Sequence, residues 1–330
     1  MTNPLSLSST QINTRTNIRK RSLLHDFWAQ RHIQAFALVG VLYLVIFSVI
    51  PMSGLLMAFK DFRLQDGFIG IFTSPWVGLR HFRDFVNDWN FTILVRNTIV
   101  ISVLKLVFTF PIPILLAIML NEVRNKAAKR IVQTATYMPH FISWVVVSGF
   151  AFIFLNTHNG LINDVLVNLG FIEREIPFLA NPRAFWPIVV ITALWKETGW
   201  WAIIFLAALA GVDPTLYEAA QIDGASRMQR IRHITLPSIQ PTITVVLILA
   251  IGNLLGGGLG GSNFEQSMLL GNIGNRETSD IIQTYVFRIG LSEGRFAFAT
   301  AVGMIQSVIS IILIFFSNLA AKKITGRGLF

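Results

Sequence analysis

Three charged side chains, Lys105, Lys196 and Glu197, stand inside long apolar stretches, with the indoles of Trp195, Trp200 and Trp201 beside the last two. Charge in such surroundings is expensive and must meet a partner or a wet cavity, so these residues are the first candidates for chemistry. Two lysines suit a path for an anionic solute such as a uronate oligosaccharide, and an indole face stacks on the apolar face of a sugar ring. A structural pairing competes: Glu197 can neutralise Lys105 across two helices, because buried charges demand partners. Lys196 is expected not to pair with Glu197, since adjacent helical residues point apart. Trp200 and Trp201 suit lipid-interface anchoring equally well, which Trp195 fits poorly. Asn253 is an amide in an apolar run, able to bond a sugar hydroxyl or a neighbouring helix.

Catalytic readings fare worse. Gly290-Leu291-Ser292-Glu293-Gly294 has the letters of a nucleophile elbow, but that elbow needs a strand, a turn and a helix in an α/β sheet. The glycine run 256–261 is followed by no Gly-Lys-Ser/Thr, and the chain has no Gly-Lys pair, so no phosphate loop is present. The six histidines show no ligand spacing and read as ordinary surface or packing residues. With no cysteine there is neither a disulfide framework nor a thiolate metal site.

The elements that carry these residues follow from hydropathy. The chain is 53% hydrophobic and 13% charged, which excludes an ordinary soluble domain. Segments 33–59, 131–163, 238–264 and 296–321 contain no Asp, Glu, Lys or Arg. Each exceeds the ~20 residues that a helix needs to cross a bilayer. Segments 92–120, with Arg96 and Lys105, and 184–212, with Lys196 and Glu197, bring the count to six spans in an all-α membrane protein. At 1.5 Å per residue, Lys105 and Lys196 lie ~18–20 Å into their spans, near the midplane of a ~30 Å core. The glycine run after Asn253 permits close helix packing or an unwound segment facing a cavity.

Charge sets the expected orientation. With a cytoplasmic N-terminus, residues 1–32, 121–130, 213–237 and 322–330 lie inside and hold fifteen Lys and Arg, against nine in the outward loops 60–91, 157–183 and 265–295. That is the positive-inside bias. The net charge of +10 then reports topology and anionic lipid rather than nucleic acid, because the arginines are scattered over short loops without stacking platforms. The organisation expected is a cytoplasmic tail over 1–32, a six-span domain over 33–321 and a short tail over 322–330. The first span is too long and too far from the start for a cleavable signal.

One inward loop, 213–237, is unusually polar. Asp213-Pro214 is a helix start, with an Asp N-cap and a Pro at the first helical position. A short helix over about 214–222 should end at Asp223-Gly224, and a second should run towards Pro237. Glu218-Ala219-Ala220, Asp223-Gly224-Ala225, Ile234-Thr235-Leu236-Pro237 and Pro241 resemble the EAA motif of the membrane-spanning subunits of binding-protein-dependent ABC importers. Segments 137–150, 194–200, 205–225 and 299–309 are similar to the maltose-type permeases, especially the LplB-like group that handles oligo- and polysaccharides. The glycine-rich 256–272 is most similar to the alginate-importing branch. Ile231 departs from the pattern, where an aromatic is common.

The resemblance implies a type I ABC importer permease fold with a cytoplasmic coupling helix in a bacterial inner membrane. It implies a second related permease, two cytoplasmic ATPase subunits that bind ATP and Mg, and a periplasmic solute-binding protein, with no cofactor in this chain. Glu218, Ala219, Ala220, Asp223, Gly224, Ala225 and Pro237 then belong to the ATPase-coupling surface: small residues seat a backbone in a groove and Glu218 fixes orientation. An amphipathic helix resting on headgroups needs a larger apolar face than this segment supplies. An ion-coupled carrier, with Glu197 and the lysines as a relay, leaves that segment unexplained, and a purely structural scaffold makes the lysines matter only for assembly.

Overall fold

The structure, a computed structural model, describes residues 31–325, with side chains to 323. Most of the expected N-terminal tail and the last five residues fall outside that range. Residues up to Gly54 form one unit and those from Leu55 another. Among the described residues five helices are long and apolar enough to cross a membrane, and a bent helix pair supplies a sixth span if counted as one. Helix α1, Arg31–Phe59, is apolar along its length. A wider π turn, Val45–Val49, precedes Pro51, which has no N–H to donate to the regular ladder.

The second unit begins with short outward helices and continues into α2 (Phe91–Thr109) and α3 (Pro111–Glu122), one span jointed at Phe110-Pro111. The stretch expected to be a third straight span is broken. Helix α4 (Lys126–Tyr137) gives way to a 3-10 turn, Met138–Phe141, around Pro139. Ser143 then caps α5 (Trp144–Leu155), and the two arms meet at 102°. Proline removes a donor and the serine hydroxyl restarts the ladder by accepting from Val146 N–H, so the corner is written in local chemistry that hydropathy does not register.

Helix α6 (Pro182–Ala210) is the centre of this unit, packing against α2, α3, α4 and the span that follows. Lipid is as apolar as leucine, so helix association here depends on close packing and hydrogen bonds, which favours small residues at contacts. Ala117, Ala202 and Ala250 are buried where α3, α6 and the fifth span meet. A side chain at Gly199 would overlap the Thr136 carbonyl of α4, so only glycine permits that approach.

After α7 (Pro214–Ile222) comes α8 (Arg227–Gly252), a single span. The second helix of the polar loop is therefore not separate: it runs through a π turn, Ile231–Thr235, past Pro237 and into the membrane. The fifth span, expected to reach Phe264, ends at Gly252. Residues 253–262 leave the α-helical ladder, with a 3-10 turn at Leu254–Gly256 and Gly257, Gly258 and Gly261 at φ of +125°, +58° and +73°, a region that other residues rarely adopt. Helix α9 (Asn263–Leu270) resumes the climb under a Ser262 cap. Short helices α10 (Arg276–Ser279) and α11 (Ile282–Phe287) precede the last span, α12 (Phe296–Thr325).

Candidate functional site

The polar loop is built as a capped corner. The Asp213 carboxylate accepts from Thr215 N–H at 2.9 Å, an N-cap bond that holds its pKa below the ordinary carboxylate value. At the other end of α7, Ala225 N–H reaches Ala220 O (2.8 Å) and Gly224 N–H reaches Gln221 O (3.2 Å), with Gly224 at φ +76°. That double bond pattern is a Schellman ending, which needs glycine at this position. Ser226 and Gln229 then cap the start of α8 reciprocally. Glu218 and Ala219 are exposed, and so are Leu216 (48%), Ile222 (87%) and Met228 (71%). The Tyr217 hydroxyl lies 3.1 Å from Thr235 Oγ1, tying α7 to the π turn. Pro237 sits just after that turn, where its missing donor is absorbed.

The intramembrane charges gather around the two interruptions. Lys105 on α2 is fully buried and donates to Asn263 Oδ1 (2.8 Å) and Gly261 O (3.3 Å). Asn263 Nδ2 in turn donates to Ser102 Oγ and Leu255 O. Lys105 thus tethers the unwound segment and satisfies backbone that has no ladder, the condition for irregular chain at membrane depth. It forms no close ion pair with Glu197, whose carboxylate is engaged by Lys196 and His140.

Lys196 and Glu197 are both buried and do pair, Nζ to Oε1 at 3.3 Å, contrary to the expectation from their adjacency. Adjacent Cβ atoms diverge, but a four-carbon chain can curl back when the surrounding space is enclosed. Here the corner of span three encloses it: Lys196 also donates to His140 O and lies 5.5 Å from the Trp144 ring centroid. Glu197 Oε2 is 2.7 Å from His140 Nδ1. Gly261 closes the group, since a Cβ there would stand 2.7 Å from Trp144 Cζ2 and 3.2 Å from Glu197 Oε1. His140, Trp144 and Asn263 carry no expectation of a site role from sequence, whereas Gly261 belongs to the glycine run expected to pack closely or unwind. The signal for His140 was its place beside Pro139 in an otherwise uncharged run, so it is not the ordinary histidine expected.

The aromatic candidates separate. Trp195, 48% exposed, points away from Lys196 into an apolar groove with Phe150, Phe154 and Ile191. Trp200 stacks on His140, ring centroids 4.3 Å apart, and Trp201 packs on the core. Asn253 is exposed and ends α8, its carbonyl accepting from Gly256 and Gly258 N–H. Among the described residues no cluster of three or more His, Asp or Glu is placed to hold a metal.

Comparison with known proteins places this architecture. Residues 109–326 match the family described as binding-protein-dependent transport system inner membrane component. The chain is 44% identical to LplB of Bacillus subtilis (strain 168), covering 94% of this chain and 93% of that one. It is 42% identical to the polygalacturonan/rhamnogalacturonan transport system permease YteP of the same organism, over 94% of each. A chain in the crystal structure of the bacterial alginate ABC transporter, in complex with alginate pentasaccharide-bound periplasmic protein, superposes with a TM-score of 0.84. That match is 38% identical and covers 94% of this chain and all of the other. The chain therefore belongs to the binding-protein-dependent inner-membrane transport family, as a permease subunit of a sugar ABC importer with the type I fold, and is not an enzyme.

Proposed function

We propose that the chain imports acidic oligo- or polysaccharide, received from a periplasmic binding protein, and couples to ATP hydrolysis through residues 213–237. Its complex contains a second related permease and two ATPase subunits that carry ATP and Mg, and both its termini are cytoplasmic. The observation that carries the coupling role is the corner α7–Gly224–α8. Leu216, Ile222 and Met228 are apolar side chains held in the open around Glu218 and two alanines, on a rigidly capped segment too polar for a lipid surface. The acidic solute is supported by the relative described for polygalacturonan and rhamnogalacturonan and by the alginate-bound complex, both uronate polymers. The neutral alternative is supported by the 30% identity to the arabinooligosaccharide permease AraP of Bacillus subtilis (strain 168), which covers 87% of this chain.

ATP-driven closure of the ATPase pair pulls on the corner and the spans reorient. The two ATPase states must bind the corner differently, because a partner shifts an equilibrium only by its differential affinity. The test is uptake by the whole importer in proteoliposomes with ATP and loaded binding protein. Wild type should import uronate oligosaccharides in preference to their carboxyl-reduced forms. Glu218→Lys should assemble and hydrolyse ATP while uptake falls at least tenfold. Uptake unchanged in Glu218→Lys refutes the coupling role, and preference for the neutral sugar refutes the acidic solute.

A further inference from the structure

A second constellation, outside the buried cluster, lies in the loop 265–295. Helices α9, α10, α11 and the π turn after them enclose a cleft of about 390 Å³, within the size range of small-ligand sites. Asp280 is its one acid among the described lining residues. Arg288 grips that carboxylate bidentately at 2.6 and 3.2 Å, Thr284 Oγ1 donates to it at 2.7 Å, and Arg276 Nε stands 3.7 Å away. Two guanidiniums thus share one carboxylate. Arg276 is 59% exposed at the side chain and Arg288 33%, so an excess positive charge borders the opening.

One further feature points to a ligand. Phe287 presents an exposed ring on the cleft wall, braced by Phe264 at 5.3 Å. The site is also held in place from below. Arg96 Nη2 donates to Glu277 O (2.8 Å), and Asn97 Nδ2 donates to Glu277 O (2.9 Å) and Asp280 O (2.8 Å), so α2 fixes α10.

We infer that this cleft is a binding subsite for a uronate ring of the transported oligosaccharide. Arg276 takes the carboxylate, whose planar oxygens suit a guanidinium fork, while Arg288 stays on Asp280 and adds positive charge beside it. Phe287 underlies the ring. Phosphate lacks a face for Phe287, and a neutral sugar leaves Arg276 without its anion. The inference rests on the acidic-solute reading and adds the residues that select the carboxylate.

The test uses the chain's lack of native cysteine. Ile273 lies at the rim, 96% exposed, and takes no part in the binding proposed. Ile273→Cys in the whole importer, reconstituted without binding protein, is titrated with a neutral methanethiosulfonate added from the outward side, and labelling is read on this chain. Trigalacturonate and trimannuronate, at millimolar concentration, are compared with their carboxyl-reduced forms. At least one acidic trisaccharide should slow labelling severalfold while the reduced forms leave it unchanged. Arg276→Gln should raise the half-protecting concentration about tenfold and Arg276→Lys less, the range for one charge-assisted contact. Equal protection by acidic and reduced sugars overturns the subsite. If the parent importer takes up the acidic sugars but none protects the introduced thiol, the subsite falls and the import reading stands. If it takes up only the reduced sugars, both fall.

Discussion

Gly261 offers a quantitative test of the buried cluster, because two independent obstacles meet a side chain there. Its φ of +73° places a β-carbon against the following carbonyl, a strain of ~1–2 kcal/mol. The same β-carbon would stand 2.7 Å from Trp144 and 3.2 Å from Glu197, and neither can recede easily. Trp144 is only 8% exposed, and Glu197 is held by Lys196 and His140. Overpacking of this kind costs ~1–3 kcal/mol, so Gly261→Ala should lose ~2–5 kcal/mol in all. Gly294 supplies the control: its φ is +68°, but nothing lies within 4 Å of its β-carbon. Gly294→Ala should therefore lose only the ~1–2 kcal/mol of strain. The difference of ~1–3 kcal/mol corresponds to about 5- to 150-fold in the folded-to-unfolded ratio. Unfolding of a detergent-solubilised membrane complex is often irreversible, so the comparison is of heat-inactivation rates of the two variants under one protocol. Equal losses in both variants would refute the packing argument and leave Gly261 as an ordinary turn glycine.

Two more perturbations probe other parts of the chain. Lys105→Met leaves Asn263 Oδ1 and Gly261 O without their donor, at ~1–3 kcal/mol, while removing the desolvation cost of a buried charge offsets part of that loss. Amide hydrogen exchange over 253–262 should accelerate at least tenfold relative to α6, and unchanged exchange there would show that the lysine is no tether. Asp88 Oδ2 accepts from the Tyr285 hydroxyl at 2.7 Å. Burial alone would raise the Asp88 pKa, but hydrogen bonds from Tyr285 and Asn90 and the charge of Arg295 outweigh it and hold the value below 3.8. A depressed carboxylate stabilises above its unfolded pKa and ceases to do so as pH falls through its folded one. The stability gap between wild type and Tyr285→Phe should therefore shrink as pH drops below about 3.8, and a gap that widens on acidification contradicts the assignment.

How far the sequence discloses this molecule depends on whether the determining chemistry is local. The corner at 213–225 was legible because an Asp-Pro start and an Asp-Gly end each force a backbone state within four residues, and the observed caps use those groups. The six hydrophobic stretches were legible as spans, but their interiors were not. Hydropathy averages over a window and is blind to Pro139 followed by Ser143, or to the left-handed glycines after Gly252. The expectation that Lys196 would not pair with Glu197 failed for a different reason. The pairing depends on His140 and Trp144, which reach α6 only because span three is broken. Asn253 and Asn263 look equivalent in sequence, yet the first ends a helix at the surface and the second is completely buried on Lys105.

The proposed coupling also explains why the breaks lie where they do. Helix α8 runs unbroken for 26 residues from the corner, ~39 Å at 1.5 Å per residue. Its π turn is tied to α7 by the contact of Tyr217 with Thr235 at 3.1 Å. The exposed contact of Arg227 with Glu122, at 3.9 Å, is too weak to hold the corner still. On the coupling proposed, a pull on α7 passes along α8, through its π turn and past Pro237 and Pro241, to Gly252, beyond which a 3-10 turn and three left-handed glycines follow. Motion there has two outcomes: it strips Lys105 from Gly261 and Asn263, or it carries α2 along. Stripping leaves a buried ammonium and two acceptors unpaired, whereas helices slide past one another across lipid-facing and small-residue contacts with little loss. On the coupling proposed, the second outcome costs less, so α2 and the glycine segment are expected to move together through the bonds of Lys105 to Gly261 and Asn263.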